Sequence, residues 1–188
     1  MRALFIPVIL AVASTAHGAP LRVGDGMPAL VVEGAERGLL KLTDSDTITY
    51  GRFDSRTLIP GKVRVIMQMA ARLGAESDGQ HLFDALEGAN FGPSRFQVLV
   101  VVSADDCLFG TCLFVRGQLA DNQRERPTTA MVYDDTGRAR RVWGLPKGAF
   151  TAIITDRRGR IVRWKTGKFS ASEAKAYVGV LRGLIAAD

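Results

Sequence analysis

Cys107 and Cys112 are the two cysteines of the chain, five positions apart in the stretch DDCLFGTCLFVRGQL. A pair at this spacing offers either a dithiol centre that exchanges disulfides through a thiolate or a small covalent staple. In one straight helix the two side chains would point about 140° apart, so a bond between them needs a bend, which Gly110-Thr111 can supply. A staple closing so short a loop contributes about 2 kcal/mol by loop entropy. Local charge distinguishes the thiols. Asp105 and Asp106 precede Cys107 and disfavour a thiolate, whereas Cys112 opens a helical pattern with Arg116 one turn on. If the pair is reactive, Cys112 is the nucleophile and Cys107 the resolving thiol.

Other residues offer less. The carboxylate pairs Asp105/Asp106 and Asp134/Asp135 each follow an apolar run, but Asp134-Asp135-Thr136-Gly137 is an ordinary turn sequence. Neither loop has the carboxylate spacing that a calcium site of about 6–8 oxygens requires. His81 is the one histidine beyond residue 18, so no zinc set is expected. Neither a phosphate-binding loop nor a dinucleotide glycine pattern occurs, and no Ser-centred nucleophile elbow, so no cofactor is expected.

Charge is unevenly placed. Gly137 to Lys168 holds ten basic residues (Arg138, Arg140, Arg141, Lys147, Arg157, Arg158, Arg160, Arg163, Lys165 and Lys168) against Asp156, a balance of +9 in a chain of net +6. Arg157, Arg158, Arg160, Arg163 and Lys165 are the candidate binding residues, for an acidic protein or an anionic envelope component. The alternative is a strand edge kept from aggregating by charge. Nucleic acid is not expected as a partner, since no reader motif is present.

These residues need a scaffold. The apolar runs Ala29 to Glu33 and Gly38 to Leu42 read as a β-hairpin, and SDTITYGRF as a third, edge-type strand. KVRVIMQMA follows as a central strand. Ser77 and Gln80 have the spacing of a capping box for a helix from about Ser77 to Gly88. FQVLVVVSA is apolar on both faces, as in a strand covered on either side. A helix from Cys112 to Asn122 is closed by Glu125-Arg126-Pro127. TTAMVYDDTG supplies another strand, RARRVWGL a turn or short helix, and FTAIITDRRGRIVRW two strands. Ser170 and Glu173 cap a closing amphipathic helix, while Trp143 and Trp164 are expected on the sheet margins. The order predicts an α/β fold: a thioredoxin-like three-layer sandwich, its mixed central sheet flanked by helices, with an N-terminal β-hairpin.

The first residues, MRALFIPVILAVASTAHGAP, carry Arg2, an apolar core from Ala3 to Ala13 and small residues at Ala16 and Gly18. This is the pattern of a secretory signal peptide, residues 1–18, preceding a single domain of residues 19–188. The apolar core is about half the length a membrane span needs, so no transmembrane anchor is expected. Two cysteines in an exported chain meet an oxidising environment, which favours a disulfide.

VGDGMP, GKVRVIMQMAAR, VVVSADD, LFVRGQL, VYDDTGRARRVWGL and AIITDRRGRIVRWKTG together resemble the YtfJ family of small exported bacterial proteins. The resemblance implies a thioredoxin-like fold and a periplasmic address, and little about activity. The wider thioredoxin and peroxiredoxin families place a nucleophilic cysteine at the helix N-terminus after the first central strand, where the dipole stabilises a thiolate. The equivalent stretch here, MAARLGAESDGQH, has none. They also place a cis-proline, facing that cysteine, just before the next strand of the sheet, here AFTAIITD; Gly148 stands before that strand and Pro146 comes too early. The chain therefore reads as a periplasmic thioredoxin-fold binding or accessory module without the usual active site. The alternative is a thiol–disulfide oxidoreductase using Cys112 and Cys107. Protein recovered from the native envelope is expected to begin at Ala19 and to fractionate with periplasmic contents; an intact Met1 terminus would remove the compartment argument.

Overall fold

The computed structural model describes residues 20–187 apart from Ile59, Leu73, Asp106 and 108–110. The leader, Asp106 and the bend at Gly110 therefore lie outside the described residues. In chain order the elements are β1 (Val31–Val32), β2 (Gly38–Leu42), β3 (Ile48–Gly51), β4 (Phe53–Asp54), β5 (Val63–Ala70), α1 (Ala75–Ala89) and β6 (Phe96–Ser103), then α2 (Thr111–Glu125), β7 (Ala130–Asp134), α3 (Arg138–Val142), β8 (Thr151–Thr155), β9 (Ile161–Thr166) and α4 (Ala171–Ala186). A 3-10 turn at Ser55–Thr57 links β4 to β5.

Among the described residues the main sheet has seven strands in the order β3-β2-β7-β6-β5-β8-β9. β5, β6 and β7 are parallel, and the others join antiparallel. The β-branched and Met-rich runs sit at the centre because both their faces are covered. On one face Val63, Val65 and Met67 meet Leu82 and Leu86 of α1, Leu119 of α2, and Tyr177 and Leu181 of α4. On the other, Ile66, Leu99 and Val101 meet Ala139 of α3, Trp143, and Leu21 and Leu30 of the N-terminal segment. Each fully buried large apolar side chain contributes roughly 1.5–3 kcal/mol, so these two layers hold the domain together.

Three expectations are corrected. The two apolar runs near the N-terminus do not pair with each other. β2 forms its hairpin with β3, from Leu39↔Gly51 to Leu42↔Ile48, while β1 pairs with β4 in a separate two-stranded sheet. The cause is that β2 finds a further partner in β7 and is drawn into the main sheet. The first helix begins before Ser77: its N-cap is Gly74, the Ser77 hydroxyl donates back to the Gly74 carbonyl at 2.6 Å, and Gln80 donates to Asp84 at 2.7 Å. Trp143 is fully buried in the second layer rather than marginal, its indole N–H donating to the Pro28 carbonyl at 3.0 Å; Trp164, on edge strand β9, is 37% exposed.

The capping box of α4 is present as read: the Ser170 hydroxyl accepts from the Glu173 N–H, and the Glu173 carboxylate accepts from the Ser170 N–H. Ser170→Ala is expected to lower stability by about 1 kcal/mol, and Ser77→Ala by much less. Urea unfolding midpoints of the two variants check this difference.

Candidate functional site

The carboxyl ends of β5, β6 and β7 point the same way, so the turns that follow them share one edge of the sheet. Cys107 leaves β6 on this edge and Cys112 lies in the first turn of α2. The two are not in one helix, which removes the angular objection. Their Cα atoms are 5.4 Å apart, within the range a disulfide spans. Both side chains are half-buried, and Cys107 Sγ lies 3.8 Å from the Ala71 carbonyl, just past the end of β5. The pair therefore adjoins the β5–α1 turn, although that turn carries no cysteine of its own.

Arg116 does not serve Cys112 as its spacing suggested. Its guanidinium donates to Glu36 at 2.8 Å and lies 5.5 and 5.6 Å from the ring centres of Tyr50 and Tyr133. The Glu36 hydrogen bond raises the pKa of Arg116 and lowers that of Glu36, while burial raises that of Tyr133. This cation is therefore committed to Glu36 rather than to Cys112.

The carboxylates of the edge secure turns. Asp134, fully buried, accepts from the Ala139 N–H at 2.8 Å and the Thr136 hydroxyl at 3.1 Å, holding the start of α3. Asp105 pairs with Arg140 at 2.7 Å, and Asp135 with Arg37 at 3.3 Å. Among the described residues no group of three or more His, Cys, Asp or Glu side chains could hold a metal ion. His81 is exposed on α1.

The basic segment is divided between the two ends of the sheet. α3 follows the carboxyl end of β7, whereas the β8–β9 turn lies at the opposite end, where Arg157 O accepts from the Gly61 N–H beside the entry to β5. Within the hairpin, Arg157 donates to the Ile185 carbonyl at 3.0 Å and Arg160 to Asp156 at 2.9 Å. Arg163 lies 4.9 Å from the ring centre of Tyr177, whose pKa burial pushes up to about 12; Lys165 lies 5.0 Å from that of Phe169 and 3.3 Å from Glu173. Arg158 is exposed at the turn. These contacts tie most of the candidate binding residues into the framework.

One concavity among the described residues was not legible in the sequence. α1 packs on α4, and α2 stands over β2 and β7, so β6 is left between them beneath an open cleft of about 890 Å³. Val98 and Val100 of β6 form its floor, Phe83 and Leu86 of α1 one wall, and Val115 and Leu119 of α2 the other. Gln118 donates to Glu76 across it at 3.4 Å. Near the cysteine end, Phe114 is 60% and Leu113 72% exposed, so the first turn of α2 is apolar without being core. The available signal was the thin apolar stripe of α2, in which only Leu119 and Gln123 are buried.

The edge itself rests on one close approach. Gly137 has φ +65°, and the Asp105 carboxylate occupies the space a Cβ there would need. Gly137→Ala is expected to cost at least about 1–3 kcal/mol, from the left-handed backbone and the displaced Asp105–Arg140 pair. Thermal unfolding checks this, with exposed Gly88→Ala in α1 as the harmless comparison.

A family model described as "Bacterial protein of unknown function (YtfJ_HI0045)" matches residues 21–184. An uncharacterized protein of Haemophilus influenzae is 30% identical over 182 residues, 97% of this chain and 96% of its own length. Uncharacterized protein YtfJ of Escherichia coli is 28% identical over 178 residues, 95% of this chain and 94% of its own. Solved structures share the fold at low identity. A crystal structure of a putative thiol:disulfide interchange protein DsbE from Chlorobium tepidum matches 87% of this chain and 99% of its own, with TM-score 0.57 and 17% identity. Mycobacterium bovis AhpC matches 90% and 96%, with TM-score 0.54 and 20% identity.

Proposed function

The chain belongs to the YtfJ family and has a thioredoxin-like fold, and from these premises we propose that it is a periplasmic binding or accessory module that takes an apolar group into the cleft between α1 and α2. The cleft carries this reading. An open cleft of about 890 Å³ with an aliphatic and aromatic floor and a polar, charged rim has the size and character of a ligand site. The β5–α1 turn, which bears the nucleophile in redox members of the fold, has Ala71, Arg72 and Gly74 instead. The leader-like N-terminus supports the periplasmic address. In that compartment Cys107 and Cys112 form a disulfide that fixes the first turn of α2, one wall of the cleft, to the end of β6.

A second reading is thiol–disulfide exchange, favoured by the position of Cys112 in the first turn of α2. Its thiolate would attack a substrate disulfide and release one thiol. Cys107 would then displace the second, leaving the protein disulfide oxidised and the substrate reduced.

A neutral fluorescent probe, N-phenyl-1-naphthylamine, is expected to bind with enhanced emission. Val115→Trp, which fills the cleft from its wall, should weaken binding at least about tenfold, whereas a change below twofold would place the probe elsewhere. The Cys107→Ser/Cys112→Ser protein is expected to lose about 2 kcal/mol of stability and remain folded. Rapid alkylation of reduced Cys112 at a pH well below ~8.5, with mixed disulfides accumulating in Cys107→Ser, would make exchange chemistry the function.

A further inference from the structure

We infer that the occupant of the cleft is a polypeptide segment with an apolar stripe bounded at both ends by Lys or Arg. This rests on the cleft being a binding site and adds the chemistry of what fills it. α1 has four carboxylates, Glu76, Asp78, Asp84 and Glu87, and no Lys or Arg. Asp78 is paired with Arg72 at 2.7 Å and does not line the cleft. Glu76 and Glu87 both line the cleft, are exposed, and form no ion pair among the described residues; Glu76 meets only the neutral amide of Gln118. On the facing wall the cation at the rim, Arg126, is bonded to Glu125 at 3.3 Å and to Asn122 at 3.4 Å. The rim thus presents two uncompensated negative charges above an apolar trough.

Their spacing sets the length of the partner. Eleven residues of helix separate Glu76 from Glu87, about 16 Å at 1.5 Å per residue. A partner helix lying along α1 would place cations about eleven residues apart, three turns, with its apolar stripe between them facing Val98 and Val100. Such docking of an amphipathic helix in a groove takes affinity from apolar burial, and orientation and selectivity from the charged rim. Arg72 and Arg126 also line the cleft, but each is held by a carboxylate, Asp78 and Glu125, so a fatty-acid carboxylate would have to displace one of these while meeting Glu76 or Glu87.

The test uses the full mature protein and two synthetic fourteen-residue amphipathic peptides with the same leucine stripe. One carries Lys and the other Glu at positions eleven apart. Palmitate and N-phenyl-1-naphthylamine complete the set, all measured at low salt. The Lys peptide is expected to bind about tenfold tighter than the Glu peptide, a difference that 1 M salt abolishes. In Glu76→Lys/Glu87→Lys, exposed substitutions that leave the cleft wall in place, the preference should reverse, and Glu76→Gln/Glu87→Gln should abolish it. Equal affinities, or a preference unmoved by these variants, would overturn the inference, as would palmitate binding more tightly than the Lys peptide. Self-association competed by the neutral probe would overturn it in favour of a second copy. If the neutral probe binds in the cleft and the Lys peptide does not, this inference alone fails. If neither binds, the cleft reading fails with it.

Discussion

β5 and β6 run in parallel over eight residue pairs, from Val63↔Phe96 to Ala70↔Ser103; β5 is buried throughout and β6 throughout except at half-buried Gln97 and Val98. Parallel neighbours cannot be joined by a tight turn, so the chain must leave the sheet and return through a crossover helix. Two apolar faces cannot both be left to water, so helices or other segments must cover each. The other elements follow from this pair. α1 and α4 cover one face over β5 and β8; α3, Trp143 and the segment through Leu21 and Leu30 cover the other. Where the cover is incomplete, over β6 between α1 and α2, the cleft results.

Parallel strands also give the molecule two unlike ends. The carboxyl ends of β5, β6 and β7 collect the cysteine pair, the Asp105–Arg140 pair and the N-termini of α1 and α2, the edge where α/β sheets commonly bind ligands. Buried Asp134 at the end of β7 turns the chain into α3 and meets the Ala139 N–H in its first turn. The opposite end carries the basic β8–β9 turn, where Asp156 pairs with Arg160 and the Ile185 carbonyl accepts from Arg157.

α2 explains how a wall can stand without filling the space beside it. An amphipathic helix is usually held along a continuous apolar stripe, but this one is held at separate points. Cys112 stands at disulfide distance from Cys107 at its start, Arg116 joins Glu36 and the two tyrosines in its second turn, and Gln123 donates to the carbonyls of Arg126 and Thr129 at its end. Only Leu119 and the half-buried Val115 face the core between them. Polar and covalent attachment positions the helix without requiring its side chains to close over β6.

The sequence by itself determined the order of elements, the central place of the two strands buried on both faces, and the capping of α4, because each depends on local periodicity or on residues a few positions apart. It also identified the cysteine pair and the turn character of Asp134. Tertiary structure decided the rest. β2 pairs with β3 and β7 rather than with the equally near run at Val31, because pairing is settled by which strands meet in the sheet. Arg116 serves Glu36, eighty positions away, rather than Cys112 in the preceding turn. The basic residues of one segment, Gly137 to Lys168, separate to opposite ends because β8 runs against β5. The cleft was legible in no single segment, because a void depends on how far apart α1 and α2 stand over β6, a distance fixed by the partners each helix finds elsewhere.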